Sequence, residues 1–315
     1  MRRVVALLAA VLSLSLPACG EGGAEPGASS EATLVLDFTP NAVHSGLYAA
    51  QERGWFADEG LDLKIRPPGD STDAPKLLAA GRTDFAVMDI NDLGVAAARG
   101  FDLTAIGALV QVPLAAVIAA DGDEIRRPRD LEGDQVGVTG LPSDDAVLEA
   151  IVETDGGDPD TIDRVVIGFD AVGALSGGEL DAATAFWNAE GVALRELGVP
   201  TREFRIGDFA AKPFPELVVV TTDELAEDEP ELVEAVQAGL ERGYGLAAEG
   251  PDEALNDLLG AVDGTERLTQ EAQMEALTEA DAFSVGAEPG TLDPERYTNW
   301  ERFASASGIP TPNRR

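Results

Sequence analysis

Short apolar runs alternate along the chain with stretches whose apolar residues recur at helical spacing. The apolar or alternating runs, which predict strands, occur at 34–36, 61–65, 84–88, 104–110, 114–119, 135–138, 164–167, 182–186 and 217–221. The helical patterns, which predict helices, occur at 72–80, 91–99, 144–153, 172–175, 230–248, 251–259, 270–280 and 293–306. This rhythm predicts an α/β fold of mainly parallel sheets flanked by helices.

The order of the predicted elements favours two lobes. A first group of strands ends near 119–125, and a strong strand at 217–221 follows a second group. We therefore expect lobe 1 to comprise 33–122 and 218–315, and lobe 2 to comprise 123–217. Two crossings of this kind form a hinge with a cleft between the lobes.

The first residues have the pattern of an export signal. A basic start, Met1-Arg2-Arg3, precedes an apolar stretch at 4–16 that is too short to span a bilayer,. We expect residues 1–18 to be a signal peptide, Cys19 to be the lipidated residue after a lipobox-like sequence, and 19–32 to be a flexible tether. This predicts an extracytoplasmic protein held by lipid at the outer face of the cytoplasmic membrane. The alternative is a plain secreted protein with an unpaired cysteine.

The charge of the chain excludes some partners. The formal net charge is −36, with 58 acidic and 22 basic residues. A charge of this sign repels phosphate backbones, so nucleic acid is not an expected partner. Codon bias and adaptation to high salt both explain the acidity, and most acidic residues are expected to form a solvated face. With Cys19 as the single cysteine, there is no disulfide framework and no thiol metal site,.

A polar and aromatic turn between the first strand and the first helix is the leading candidate for a ligand loop. Side chains at the carboxyl end of a strand lie where open α/β proteins bind ligands. Phe38, Asn41, His44 and Tyr48 lie in or just after this turn. His44, the only histidine, either contacts the ligand or braces the loop. Asp89 follows another buried strand, where it either faces the ligand or caps the next helix.

Four segments resemble the periplasmic substrate-binding proteins of ABC importers, in the branch that also contains the fungal-type thiamine pyrimidine synthases. They are DFTPNAVHSGLY (37–48), GWFADEGLDL (54–63), FWNAEGV (186–192) and FPELV (214–218). The second segment is shared by binders of sulfonates and nitrate, whereas the other three are more specific. The resemblance implies a type II periplasmic binding fold, no enzymatic activity and no cofactor. It also implies a monomer that delivers a hydroxymethyl-, aminomethyl- or formylamino-pyrimidine to a permease and its ATPase.

A substituted aminopyrimidine offers an apolar face and an edge of donors and acceptors, which aromatic and polar side chains could recognise. Phe38, where the family has tryptophan, and Trp187 follow strands of different lobes and are the expected stacking residues. Asn188 and Glu190 are the expected polar contacts, although Glu190 could instead be a surface residue that begins a helix. Phe214, Glu216 and Tyr48 complete the expected set.

The turn before the helix at 144–153 is a further candidate. We expect Ser143 to cap this helix and to lie near the ligand,. Asp144 and Asp145 already complement the helix dipole, so this N-terminus is a poor site for an anion.

Two alternatives stay open at the level of sequence. One keeps the transport role but changes the ligand to a sulfonate, nitrate or a riboflavin-like molecule. The other is the pyrimidine synthase itself, for which the resemblance requires a cofactor lysine where this chain has Met88, and a cysteine cluster that this chain lacks.

Overall fold

The computed structural model describes residues 30–68, 74–120, 124–264 and 266–312. The predicted signal peptide, Cys19 and most of the predicted tether lie outside these residues. Within the described ranges, no helix is both long and apolar enough to cross a bilayer.

The described strands form two sheets of five strands each. The first sheet has the order β2-β1-β3-β10-β4 and the second β7-β6-β8-β5-β9. Their bounds are β1 Ser30–Val35, β2 Leu61–Arg66, β3 Phe85–Asp89, β4 Leu103–Ala108, β5 Ala115–Ala120, β6 Gln135–Val138, β7 Asp163–Val166, β8 Ala182–Phe186, β9 Thr201–Arg205 and β10 Leu217–Thr222. The sequence pattern missed β9.

Four strands of each sheet run in one direction and the fifth runs against them. In the first sheet the reversed strand is β10, which pairs antiparallel with β3 and β4. In the second it is β5, which pairs antiparallel with β8 and β9. Each reversed strand is the first that the chain forms after crossing between sheets. The prediction of two lobes with mainly parallel sheets is therefore confirmed.

The crossings lie earlier than the sequence pattern indicated. We expected the strand near 114–119 to belong to lobe 1, but β5 pairs only with strands of the second sheet. The first crossing is therefore 109–114, and the boundary at residue 122 is corrected. The second crossing is 206–216, because Leu217 already pairs with Asp89 in the first sheet. Both errors arise because a continuous apolar strand does not reveal which sheet it joins.

The first strand also begins before the predicted end of the tether. Ser30, Glu31 and Ala32 pair with β2, and the Ser30 amide donates to the Gly60 carbonyl at 2.8 Å. Ladder hydrogen bonds to β2 extend β1 into a polar segment,, so residues 30–32 belong to the fold.

Helices cover both sheets. Their bounds are α1 Ser45–Glu52, α2 Trp55–Asp58, α3 Ala74–Ala79, α4 Ile90–Ala98, α5 Pro142–Thr154, α6 Ala171–Ser176, α7 Glu190–Glu196, α8 Ile206–Phe209, α9 Asp223–Asp228, α10 Pro230–Glu249, α11 Pro251–Ala261, α12 Arg267–Glu279 and α13 Pro294–Ala306.

Close packing of α1 against α10 positions the loop after β1. A Cβ atom on Gly243 would lie 2.1 Å from the Gly46 carbonyl oxygen, so the two backbones approach more closely than any larger residue allows,. Tyr244 is fully buried, and its hydroxyl donates to the Val43 carbonyl at 3.0 Å. Helix α10 thus holds the loop after β1 in place.

Candidate ligand-binding cleft

A cavity of about 480 Å³ lies between the two sheets. Its lining comes from the turns that follow β1, β3, β6, β7 and β8, together with the first turns of α4 and α5. This volume is within the range of small-molecule sites, and the position at strand ends is the one the sequence pattern predicted.

His44 braces the loop after β1. The Asn41 amide donates to its Nδ1 at 3.2 Å, so the proton of the ring lies on Nε2, which donates to Oδ1 of Asp37 at 2.9 Å,. The ring is fully buried and does not line the cavity, whereas Asp37 and Asn41 do. Of the two roles considered for His44, the geometry favours the brace, and what it holds in place is the Asp37 carboxylate.

Asn41 organises the same loop. Its Oδ1 accepts from the Val43 amide and its Nδ2 donates to the Thr39 carbonyl, both at 3.1 Å. These bonds form the N-terminal cap of a short 3₁₀ turn, Ala42–His44,. Both polar atoms of the side chain therefore have a structural partner.

Two aromatic rings meet across the cleft. Phe38 comes from the turn after β1 and Phe169 from the turn after β7, and their ring centroids lie 5.3 Å apart with an interplanar angle of 52°. Both rings line the cavity, and Phe169 is 46% exposed. Phe169 was not among the site residues predicted from the sequence. Its place at a strand end, after Gly168, was the signal that could have identified it.

Trp187 does not face Phe38. It is 2% exposed and absent from the cavity lining. Its indole N–H donates to the Pro113 carbonyl at 3.0 Å, and the Arg205 guanidinium lies 4.2 Å from its ring centroid. The expectation that Trp187 stacks on the ligand is therefore corrected, because both its face and its donor are used within the protein. Its role is to pack lobe 2 against the first crossing.

Asn188 and Glu190 do line the cavity. Asn188 is 1% exposed, and its Oδ1 is buried without a hydrogen-bond partner among the described residues. Oε2 of Glu190 accepts from the Phe186 amide at 3.0 Å. Burial raises the pKa of Glu190, which stands at the first position of α7. Both residues thus bring acceptor oxygens to the wall of the cavity, and a protonated Glu190 adds a donor.

Asp89 and Glu216 form a buried pair beside the hinge. Oδ1 of Asp89 accepts from the Asn91 amide at 2.7 Å, so Asp89 caps α4 while also lining the cavity. Glu216 is fully buried and accepts from the Leu114 amide at 2.8 Å and the Ala115 amide at 3.3 Å. Burial raises the pKa of Asp89, and the charge of Glu216 raises it further, so the shared proton lies on Asp89,. Glu216 therefore joins the two crossings and stands behind the cavity.

Ser143 lies inside the first turn of α5 and is not its cap. The helix begins at Pro142 and its N-cap residue is Leu141, consistent with the preference of proline for the first helical position. The Ser143 hydroxyl instead donates across the cleft to Oδ2 of Asp92 at 3.3 Å. Asp92 and Asp144, which line the same end of the cavity, were not among the predicted site residues.

Tyr48 and Phe214 lie away from the cavity lining. Both are buried, and Phe214 stacks on Phe303 with ring centroids 5.4 Å apart. Among the described residues, no group of three or more histidine, cysteine, aspartate or glutamate side chains is arranged to hold a metal ion.

Solved structures share this fold. The alkanesulfonate-binding protein SsuA from Xanthomonas axonopodis pv. citri, bound to MOPS, superposes with a TM-score of 0.68 over 89% of this chain and 94% of its own, at 15% identity. At that identity the likeness shows the two-lobed periplasmic binding fold and nothing about the ligand.

Proteins related in sequence identify the family more specifically than these solved structures do. The formylaminopyrimidine-binding protein of Halalkalibacterium halodurans is 32% identical over 279 residues, which cover 88% of this chain and 84% of the relative. The 4-amino-5-hydroxymethyl-2-methylpyrimidine phosphate synthase of Legionella pneumophila is 28% identical over 71% of this chain and 72% of its own. The family model described as NMT1/THI5 like matches residues 41–254. With this match, which spans the cleft and both crossings, the chain belongs to the NMT1/THI5-like family.

Proposed function

We propose that this protein is the extracytoplasmic substrate-binding component of an ABC importer and captures an aminopyrimidine precursor of thiamine in the cleft between its lobes. The observation that carries the proposal is the composition of the cavity. It combines one aromatic ring from each lobe, Phe38 and Phe169, with buried acceptors such as Asn188 Oδ1. An aminopyrimidine supplies a flat face for the rings and N–H donors for the acceptors.

An anionic ligand fits this cavity poorly. Five carboxyl groups line it, those of Asp37, Asp89, Asp92, Asp144 and Glu190. The basic residues among its described lining are Lys76 and Arg99, and both are exposed. A sulfonate or nitrate would therefore meet carboxyl groups inside the cavity and find basic groups only at its exposed side. This supports a neutral or cationic ring over the anionic alternative.

A binding role also fits better than the synthase. The position at which the sequence resemblance requires a cofactor lysine is Met88, which is 5% exposed and lines the cavity. A thioether cannot form the imine that a lysine amine forms with an aldehyde cofactor. The formylaminopyrimidine-binding relative covers more of the chain at higher identity than the Legionella pneumophila synthase.

The remaining parts of the proposal follow from the importer role. Its partners are a membrane permease and that permease's ATPase, and the binding protein acts as a monomer. A lipid on Cys19 would keep it at the outer face of the membrane, with lobe closure retaining the ligand until it meets the permease.

Calorimetric titration of the purified protein tests the proposal. The panel comprises 4-amino-5-hydroxymethyl-2-methylpyrimidine, its 5-aminomethyl and 5-formylaminomethyl analogues, riboflavin, taurine and nitrate. We expect saturable binding of at least one aminopyrimidine at a single site and no heat from taurine or nitrate. Binding of taurine without a response to any aminopyrimidine would overturn the proposal.

A matched pair of variants ties binding to the cleft. In Glu190→Gln the amide oxygen must take the place of Oε2 as acceptor from Phe186, which turns the NH₂ group toward the cavity and removes an acceptor there. We expect aminopyrimidine affinity to fall by about tenfold or more, the effect of losing a charged hydrogen bond of about 1.5–3 kcal/mol. Glu196→Gln, on the exposed end of the same helix, should leave the affinity unchanged.

A further inference from the structure

One end of the cavity is built from carboxyl groups of both lobes. Asp89 and Asp92 come from the end of β3 and the first turn of α4, and Asp144 comes from the first turn of α5. The hydrogen bond from Ser143 to Asp92 closes this end across the cleft. We call these three carboxyl groups, together with the Ser143 hydroxyl, the acidic end.

The three carboxyl groups differ in the hydrogen bonds that the protein supplies to their oxygens. Asp89 bonds to the Asn91 amide and to Glu216. Oδ2 of Asp144 accepts from the amide and the hydroxyl of Thr139, at 2.5 and 2.6 Å. Oδ1 of Asp92, in contrast, is buried and has no hydrogen-bond partner in the described part of the chain. A buried oxygen without a donor is costly, so the acidic end lacks one donor that the protein does not supply.

Among the described residues that line the cavity, no buried basic side chain compensates the charge of this end. Lys76 and Arg99, the basic residues of the described lining, are both exposed, and Lys76 has an interaction of its own. Burial raises the pKa of Asp92 to about 8 and that of Asp144 above its usual value. Without ligand, Asp92 therefore keeps a proton near neutral pH.

We propose that the acidic end is a subsite for a protonated amine, so that the preferred aminopyrimidine carries an aminomethyl group and not a hydroxymethyl group. This rests on the proposed function, since it assigns the substituent of the same ring. The ring lies near Phe38 and Phe169, and the ammonium group donates to Oδ1 of Asp92 while its charge replaces the Asp92 proton. Asn188, whose buried Oδ1 also lacks a donor, accepts from an amine on the ring.

The neutral substituents, hydroxymethyl and formylaminomethyl, match the carboxyl groups of the acidic end less well than an ammonium group does. A hydroxymethyl group supplies one donor but no charge, so Asp92 would have to stay protonated. A formylaminomethyl group has one N–H and likewise no positive charge to replace the Asp92 proton. An ammonium group supplies three donors and a positive charge in one small volume, which suits an end of the cavity lined by carboxyl groups and without a buried basic residue in its described lining.

Titration of the purified protein at pH 7 compares the 5-aminomethyl and 5-hydroxymethyl forms of 4-amino-2-methylpyrimidine. We expect the aminomethyl form to bind at least about tenfold more tightly, as charge pairing in a buried site allows. Asp92→Asn should reduce this preference to about twofold or less. Asp145→Asn, which removes a neighbouring exposed carboxylate paired with Arg164, should keep it.

Proton release gives a second measurement on the unchanged protein. Calorimetry in two buffers of different ionisation enthalpy should show that the aminomethyl form displaces a proton on binding and that the hydroxymethyl form does not. If both forms bind with equal affinity and neither releases a proton, the amine subsite is wrong while the proposed function stands. If no aminopyrimidine binds at all, both fail.

Discussion

At the scale of single residues, the cavity has more acceptors than donors. Asn188 and Asp92 each have a buried oxygen without a hydrogen-bond partner among the described residues, and Glu190 adds a carboxyl group to the same lining. The end of the first strand predicted Phe38, and the segment FWNAEGV (186–192), through its resemblance to the family, predicted Asn188 and Glu190. Asp92 and Phe169 were missed although both lie close to strand ends, because the contacts that distinguish them come from the opposite lobe.

Asp92 makes stability depend on pH. Its pKa rises from 3.8 to about 8 on folding because of burial, so between these pH values the folded state binds a proton that the unfolded state has lost. The contribution of Asp92 to the free energy of unfolding of the ligand-free protein should therefore be most favourable below about pH 4. It should decline as the pH rises toward 8. Asp92→Asn cannot titrate and should flatten this decline.

Urea denaturation at pH 5, 6.5 and 8 measures this effect. Because the whole chain is acidic, the comparison is between the slopes of the wild type, Asp92→Asn and the exposed control Asp145→Asn. Equal slopes for wild type and Asp92→Asn would show that burial does not hold the Asp92 proton.

At the scale of elements, the two crossings explain both the hinge and the main errors of sequence interpretation. Residues 109–114 and 206–216 connect the sheets, and Glu216, in the second crossing, accepts a hydrogen bond from Leu114 in the first. The pattern located β5 and β10 correctly as strands. It could not assign β5 to a sheet, since assignment depends on pairing with β8 and β9 far along the chain. Trp187 was misplaced for the same reason, as its partner Pro113 belongs to the crossing.

Trp187→Phe separates packing from ligand binding. The variant loses the hydrogen bond to the Pro113 carbonyl and part of the ring beneath Arg205, so the free energy of unfolding should fall by about 1–3 kcal/mol. The aminopyrimidine dissociation constant should change less than about twofold, because the ring does not line the cavity. A loss of affinity without a loss of stability would return Trp187 to the ligand site.

At the scale of the whole molecule, residues of both lobes form the candidate site. Phe38 and Asp92 belong to one sheet and its helices, Phe169 and Ser143 to the other, and each pair meets across the cleft. The net charge of −36 surrounds this cleft with a field that favours cations over anions,. We therefore expect a bound ligand to contact both lobes at once.

A crystal structure of the protein with a bound aminopyrimidine would show whether both lobes hold the ligand. We expect one ring in the interlobe cavity, in contact with Phe38 from lobe 1 and with Phe169 and Asn188 from lobe 2. A ring held by one lobe alone, or bound outside this cavity, would contradict it.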